Sequence, residues 1–197
     1  MMRLVETIKL KDGVFYDLEL HNERFNNTRE ALFDIKASID LMDYLKSYKY
    51  NKSGLYKCRI IYDKMIKNIE FVPYAIRTVR CLKLVNADII YNYKFEDRDE
   101  INNLFGLRGD YDDILIVKNN RITDTSAANI AFFDNSRWYT PSYPLLKGVK
   151  REKLLRSKAI FEEDLKLSDL KKFHKAALFN SMIDFGEITF DVSNIYP

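Results

Sequence analysis

Cysteine, proline and glycine are scarce in this 197-residue chain, which has two Cys, four Pro and six Gly. Two thiols, Cys58 and Cys81, make neither a disulfide framework nor a zinc site, and they suit a reducing compartment. So little Gly and Pro excludes collagen-like and linker-dominated chains. No apolar run approaches the ~18–20 residues of a membrane span. The opening MMRLVETIKLKDG has no apolar signal-peptide segment, so a soluble cytoplasmic protein is expected. An excess of one charge is missing as well: 32 Lys and Arg stand against 29 Asp and Glu. An even balance of that kind argues against nucleic acid or an anionic membrane as partner. The two histidines, His21 and His174, have no nearby Ser or Cys in the sequence, so no nucleophilic triad is read. Asp110, Asp112 and Asp113 read as a solvated turn, and no metal site is expected.

Core-forming residues are abundant. The chain is 47% hydrophobic, with 13 Tyr and 13 Phe, enough apolar side chain to exclude wholesale disorder. Residues 4–10 and 14–20 alternate apolar and polar around Asp12-Gly13, the pattern of a hairpin. Helical spacing follows over 21–33 and again over 35–48, then strand patterns at 55–63 and 69–76. Beyond a connecting strand at 84–92 and a short helix at 97–107, compact strand signals recur at 114–118, 122–124, 129–133 and 138–140. Gly148 precedes a basic helical stretch at 149–158. Ser168 suits a helix N-cap, and 176–183 and 187–191 read as final strands. The fold class is α+β, with an α+β region at 1–86 and a β-rich region at 87–197.

The order of motifs says more than their composition. The run GDYDDILIVKNNRITDTSAANIAFFDNSRWYTP is strand, turn, acid, small-residue loop, Asn, and a strand ending in Thr-Pro. ETIKLKDGVFYDLELHNER lies upstream, with LLKGVKR and ALFNSMI downstream. In this order the segments resemble the class IV aminotransferase family, pyridoxal-phosphate enzymes of fold type IV. The resemblance spans residues 6–183. It implies a two-domain fold type IV enzyme with a small N-terminal domain, truncated here, and a larger β-rich cofactor domain. It implies pyridoxal 5'-phosphate as cofactor, a small amine or amino acid as substrate, and a homodimer.

The resemblance also assigns roles. The amine that adds to the cofactor aldehyde is Lys94, in YNYKFEDR; at the end of an apolar strand it would be partly desolvated and its pKa lowered. Asp124 falls where relatives carry Glu against the pyridine nitrogen, one methylene shorter. As a residue of Thr-Asp-Thr-Ser it also reads as a turn aspartate. Arg24, of His-x-x-Arg, suits the phosphate, as do Val149 and Lys150 at a helix start; Lys150 replaces the family threonine. Ser181 takes the late hydroxyl position, and Asn129 reads as a residue that holds its loop in shape. Arg59 lies on a strand that faces substrate in relatives and suits a carboxylate. Thr7 resembles the pattern of 4-amino-4-deoxychorismate lyases and also reads as a β-branched strand residue.

Amino transfer between an amino acid and a 2-oxo acid is the broad family expectation. The alternative is a lyase that gives 4-aminobenzoate and pyruvate from 4-amino-4-deoxychorismate. A second alternative is a relative that binds the cofactor without turnover.

Overall fold

The computed structural model describes residues 2–197. The chain divides into two units. The first runs to Ile76 and takes back Tyr93–Asp97; the second is Arg77–Asn92 with Arg98–Pro197. The division therefore falls at Ile76, earlier than the boundary expected near residue 86. The reason is pairing: the strand at Leu82–Asn86 bonds in parallel to Asp113–Lys118 and so belongs to the second unit's sheet.

In the first unit, strands β1 (Leu4–Lys11), β2 (Val14–Phe15), β3 (Leu55–Tyr62) and β4 (Ile66–Pro73) form an antiparallel sheet in the order β2-β1-β3-β4. Helices α1 (Leu18–Phe33) and α2 (Leu41–Leu45) accompany it. Side chains alternate across a strand. Leu4 and Ile8 of β1, with Cys58, Ile60 and Tyr62 of β3, join Phe25 of α1 and Leu41 and Leu45 of α2 in one core cluster. Burial raises the Cys58 thiol to about 12, so it stays protonated and inert.

Two expected elements are shorter than their sequence pattern. The second hairpin arm stops at Phe15, because Asp17 takes a left-handed conformation (φ 54°) and Leu18 starts α1. The helix expected over 35–48 is reduced to Leu41–Leu45. Residues 34–40 bond to side chains of α1 instead of to one another. Asn26 Nδ2 donates to Ile39 O (2.9 Å) and Asn26 Oδ1 accepts from Ile39 N (2.9 Å). Arg29 Nη1 donates to Ala37 O (2.8 Å), and Asn22 Oδ1 accepts from Leu41 N (2.8 Å). Those bonds satisfy backbone groups that a helix would have paired internally.

The second unit holds two sheets. One has the order β13-β5-β6-β7, from β5 (Leu82–Asn86), β6 (Asp113–Lys118), β7 (Arg121–Thr125) and β13 (Ile195–Tyr196). The other has the order β10-β9-β8-β11-β12, from β8 (Asn129–Phe133), β9 (Trp138–Pro141), β10 (Phe161–Glu163), β11 (Lys175–Phe179) and β12 (Ile188–Asp191). Helices α3 (Asp99–Gly106) and α4 (Val149–Arg156) complete it. Ser168 lies inside a 3-10 turn, Leu167–Lys172, and does not cap it. Among the described residues no helix is long and apolar enough to cross a membrane.

Phe25 is fully buried and its ring lies 4.5 Å from that of Tyr62. Phe25→Ala should lower the unfolding free energy by about 3–5 kcal/mol, the cost of lost burial plus an unfilled cavity. Urea unfolding followed by circular dichroism measures it, and a change below ~1 kcal/mol would refute this account of the core.

Candidate active site

The first unit carries an acid where its pattern calls for an apolar residue. Glu6 stands between Leu4 and Ile8 on the core face of β1 and has no exposed surface. A buried carboxylate needs cations and donors, and α1 supplies both from positions three apart. Arg24 donates from Nε to Glu6 Oε1 (2.9 Å) and from Nη2 to Oε2 (2.6 Å). His21 Nδ1 lies 2.5 Å from Oε2. Burial alone would raise the Glu6 carboxyl; the Arg24 charge, then the His21 bond, outweigh it and hold it at about 2. Burial lowers the His21 pKa despite Glu6. His21 is thus a neutral donor to an ionised carboxylate, and among the described residues its Nε2 has no hydrogen-bond partner.

Arg24, expected at the cofactor phosphate, is therefore one arm of this cluster. Glu6 holds one edge of its guanidinium, through Nε and Nη2. The sequence held a signal for this cluster in Glu6 itself, an acid in the apolar register of a strand.

Thr7 points to the other face of β1, by strand alternation, and is half-buried. Its direct cross-strand partner is Arg59, whose Nη1 donates to Glu70 Oε2 (2.8 Å) on β4. Lys94 does not end a strand, as its apolar approach suggested. Residues 87–94 have no strand structure, and the segment returns to β1: Val5 N donates to Lys94 O (2.9 Å), and Leu4 bridges Phe95. The Lys94 backbone is thus fixed two residues along β1 from Thr7, and the lysine is half-buried.

In the second unit three segments converge. The first is the loop from Asp124 to Asn129 between β7 and β8. Asp124 is buried, accepting from Asn129 Nδ2 at Oδ1 (2.8 Å) and from Leu146 N at Oδ2 (2.9 Å). Burial raises its carboxyl to about 6; hydrogen bonds from Leu146 and Asn129, and then the Arg151 charge, offset part of that. Asp124 is ionised at neutral pH, with no directly paired cation among those influences.

The second segment is the turn into α4. Gly148 is its N-cap in extended conformation and offers no side-chain cap, so Val149 and Lys150 form the first turn of a helix, the end that carries the positive pole of its dipole. Lys150 is buried and donates to Asp184 (2.7 Å).

The third segment is 180–184. Ser181 is not on the late strand, which stops at Phe179. Asn180 Oδ1 accepts from the amides of Met182 and Ile183 and turns the chain out of the sheet. Ser181 still lies near the group, because Phe179 is the cross-strand partner of Asn129 and Asn180 Nδ2 donates to Ala127 O (2.9 Å). Sequence reasoning missed Leu146 and Asp184, since backbone amides and exposed acids leave no pattern.

The sequence profile of the amino-transferase class IV family matches residues 105–189. An uncharacterized protein of Haemophilus influenzae is 32% identical over 185 residues, 92% of this chain and 98% of that protein. The crystal structure of a putative 4-amino-4-deoxychorismate lyase from Haemophilus somnus superposes with a TM-score of 0.87 at 30% identity. That match covers 93% of this chain and 98% of that one.

The chain belongs to the class IV aminotransferase family.

A more distant structure shares the fold: a hypothetical aminotransferase from Mycobacterium tuberculosis in its PLP-bound form. Its TM-score is 0.74 at 16% identity, over 98% of this chain and 81% of that one. The class IV fold type is that expected from the sequence, and the family and its neighbours are PLP-dependent enzymes, aminotransferases or lyases.

The Glu6 cluster gives an acid response of known sign. A carboxyl lowered from 4.5 to about 2 adds stability that is complete above pH 4.5 and lost as pH falls through about 2. The difference in unfolding free energy between wild type and Glu6→Gln should be about 3 kcal/mol or more at pH 7. It should shrink steadily between pH 4.5 and 2. Denaturant titrations of both proteins across that range measure it; a pH-independent difference would show that Glu6 is not held ionised.

Proposed function

We propose that this protein is a pyridoxal-phosphate-dependent lyase that releases 4-aminobenzoate and pyruvate from 4-amino-4-deoxychorismate. One observation carries the reading. β1 presents the Thr7 hydroxyl on the face shared with Arg59, and the same strand bonds the Lys94 backbone. β1 thus carries the Thr7 hydroxyl, faces Arg59 across to β3 and fixes the backbone of Lys94. The Haemophilus somnus relative, 30% identical, carries a lyase description. A fission yeast protein, 38% identical over 65 residues, is described as a putative aminodeoxychorismate lyase.

Features of the second unit suit the cofactor. Asp124 is ionised at neutral pH and buried, and the donors from Asn129, Leu146 and Leu145 leave part of the lone-pair capacity of a carboxylate unused. It would face the pyridine nitrogen. The helix start at Val149 and Lys150, which has no side-chain cap, suits a phosphate dianion, with the buried Lys150 ammonium held by Asp184. Arg24 would add a guanidinium contact and Ser181 a hydroxyl.

When bound, pyridoxal phosphate supplies an electron sink for charge left on the substrate. Asp124 keeps a positive pyridine nitrogen favourable by opposing it with a buried negative charge. Lys94 offers the amine that holds the cofactor and then carries protons at its Nζ. Arg59 orients a substrate carboxylate. Thr7 holds or delivers a proton through its Oγ1, which amino transfer does not require. Amino transfer is the second reading, in which Arg59, the cross-strand partner of Thr7, would take the carboxylate of a 2-oxo acid.

The purified protein with cofactor should release 4-aminobenzoate and pyruvate from 4-amino-4-deoxychorismate with no amino acceptor present. Borohydride should fix the cofactor to the Lys94 peptide. Thr7→Val keeps the β-branched shape and removes the hydroxyl; it should lower turnover at least ~100-fold with stability unchanged within ~0.5 kcal/mol. Acceptor-dependent turnover that survives Thr7→Val would replace the lyase reading with amino transfer. Cofactor binding without either reaction would establish the non-catalytic alternative.

A further inference from the structure

Asn129 occupies an unusual position in the second unit. Its Nδ2 donates both to Asp124 Oδ1 (2.8 Å) and to Leu146 O (2.9 Å), while the Leu146 amide donates to Asp124 Oδ2 (2.9 Å). One amide group thus ties the acid to the turn ahead of α4 in a closed ring of three hydrogen bonds. Asn129 is itself buried. On its other side it meets Gly148: a Cβ built there would lie 2.2 Å from Asn129 Oδ1. Gly148 has φ −71° and ψ 149°, a conformation open to any residue. Glycine at 148 is therefore required by Asn129 and not by the backbone.

We propose that Asn129 is a positioning residue that locks the Asp124 carboxylate and the 145–148 turn into one rigid piece, so that the acid and the start of α4 are placed together. This deepens the cofactor reading and rests on it for its purpose, though not for its geometry. Every group facing Asp124 has a part. Burial favours the neutral acid, and the Leu146 amide, Asn129, Arg151 and the Leu145 amide oppose it. Without Asn129 the carboxylate loses its only side-chain hydrogen-bond donor among these, and the turn loses the bond at Leu146 O to the acid's loop. A residue with a packing role alone would change stability and leave the acid's titration untouched.

The test uses the whole chain and two independent routes to the same lesion. Asn129→Ala removes the amide. Gly148→Ala leaves Asn129 in the sequence and pushes its side chain aside. The first readout needs no cofactor: the protonation midpoint of Asp124, followed by carbon-13 NMR of its carboxyl. Both variants should raise that midpoint by at least half a pH unit. The second is the dissociation constant for pyridoxal phosphate by equilibrium dialysis at pH 7, which both should weaken at least tenfold. The double variant should be no worse than Asn129→Ala, because the clash has gone. Asn129→Ala should add little in an Asp124→Asn background.

An unmoved midpoint in Gly148→Ala overturns the proposal, even if Asn129→Ala fails to fold. Additive effects of the two substitutions overturn it as well. A raised midpoint in a protein whose wild type takes up no pyridoxal phosphate supports the positioning role and refutes the cofactor reading, so the two failures are separable.

Discussion

A carboxylate with no access to water sets the terms for the first unit. Glu6 sits among Leu4, Ile8 and Phe25, where an unpaired charge would cost several kcal/mol. Apolar contact is non-directional, and by itself it would let α1 slide or rotate on the sheet with modest loss. The bidentate Arg24 contact has one good geometry. It fixes the rotation and register of α1, with His21 one turn away as the second constraint. Once α1 is fixed, its Asn22, Asn26 and Arg29 side chains dictate the path of residues 34–41. The unit is thus assembled outward from one ion pair, and the apolar core fills the space that the pair defines.

The second unit buries an acid too, with the opposite outcome. Glu6 is held near 2 and Asp124 is raised to about 6. The difference lies in the partners. Glu6 faces a full positive charge at hydrogen-bond distance; Asp124 has neutral amide donors first and the Arg151 charge after them. Neutral donors steer a carboxylate without compensating its desolvation. For Asp124 the sign reverses: the folded chain holds its proton more tightly than the unfolded chain, so folding is penalised as pH rises from about 4 to 6 and the cost persists above. A buried negative charge with no cation at hydrogen-bond distance suits the cofactor role proposed for Asp124.

Much of the architecture was legible in the sequence. The alternation in β1, the uninterrupted apolar run of β6 and the Gly148 entry to α4 each carry local physics that tertiary contacts reinforce. The misses share a cause. Residues 35–48 have helical spacing, but three polar side chains of α1 offer residues 34–41 better partners than their own carbonyls. Residues 176–183 read as one strand until Asn180 draws two following amides to itself and ends it. The approach to Lys94 looked like a strand because it is apolar, and it is partly buried without sheet pairing. In the site, side chains with chemical character stood out, and the network that holds them did not. Backbone amides such as that of Leu146 have no letter in the sequence, and the close approach of Gly148 to Asn129 exists only once both segments are folded.

The return of residues 93–97 to the first unit has a consequence for synthesis on the ribosome. The edge of β1 near Leu4 and Val5 is closed by Lys94 and Phe95, which emerge only after β5, a strand of the other unit. For that interval the nascent chain displays an apolar strand with part of its edge unpaired, the state most open to pairing with a neighbour. The lysine segment is therefore the closing piece of its unit. The residue proposed to carry the reaction arrives together with the strand contact that ends this exposure, so a chain that places the Lys94 backbone has also closed this part of the β1 edge.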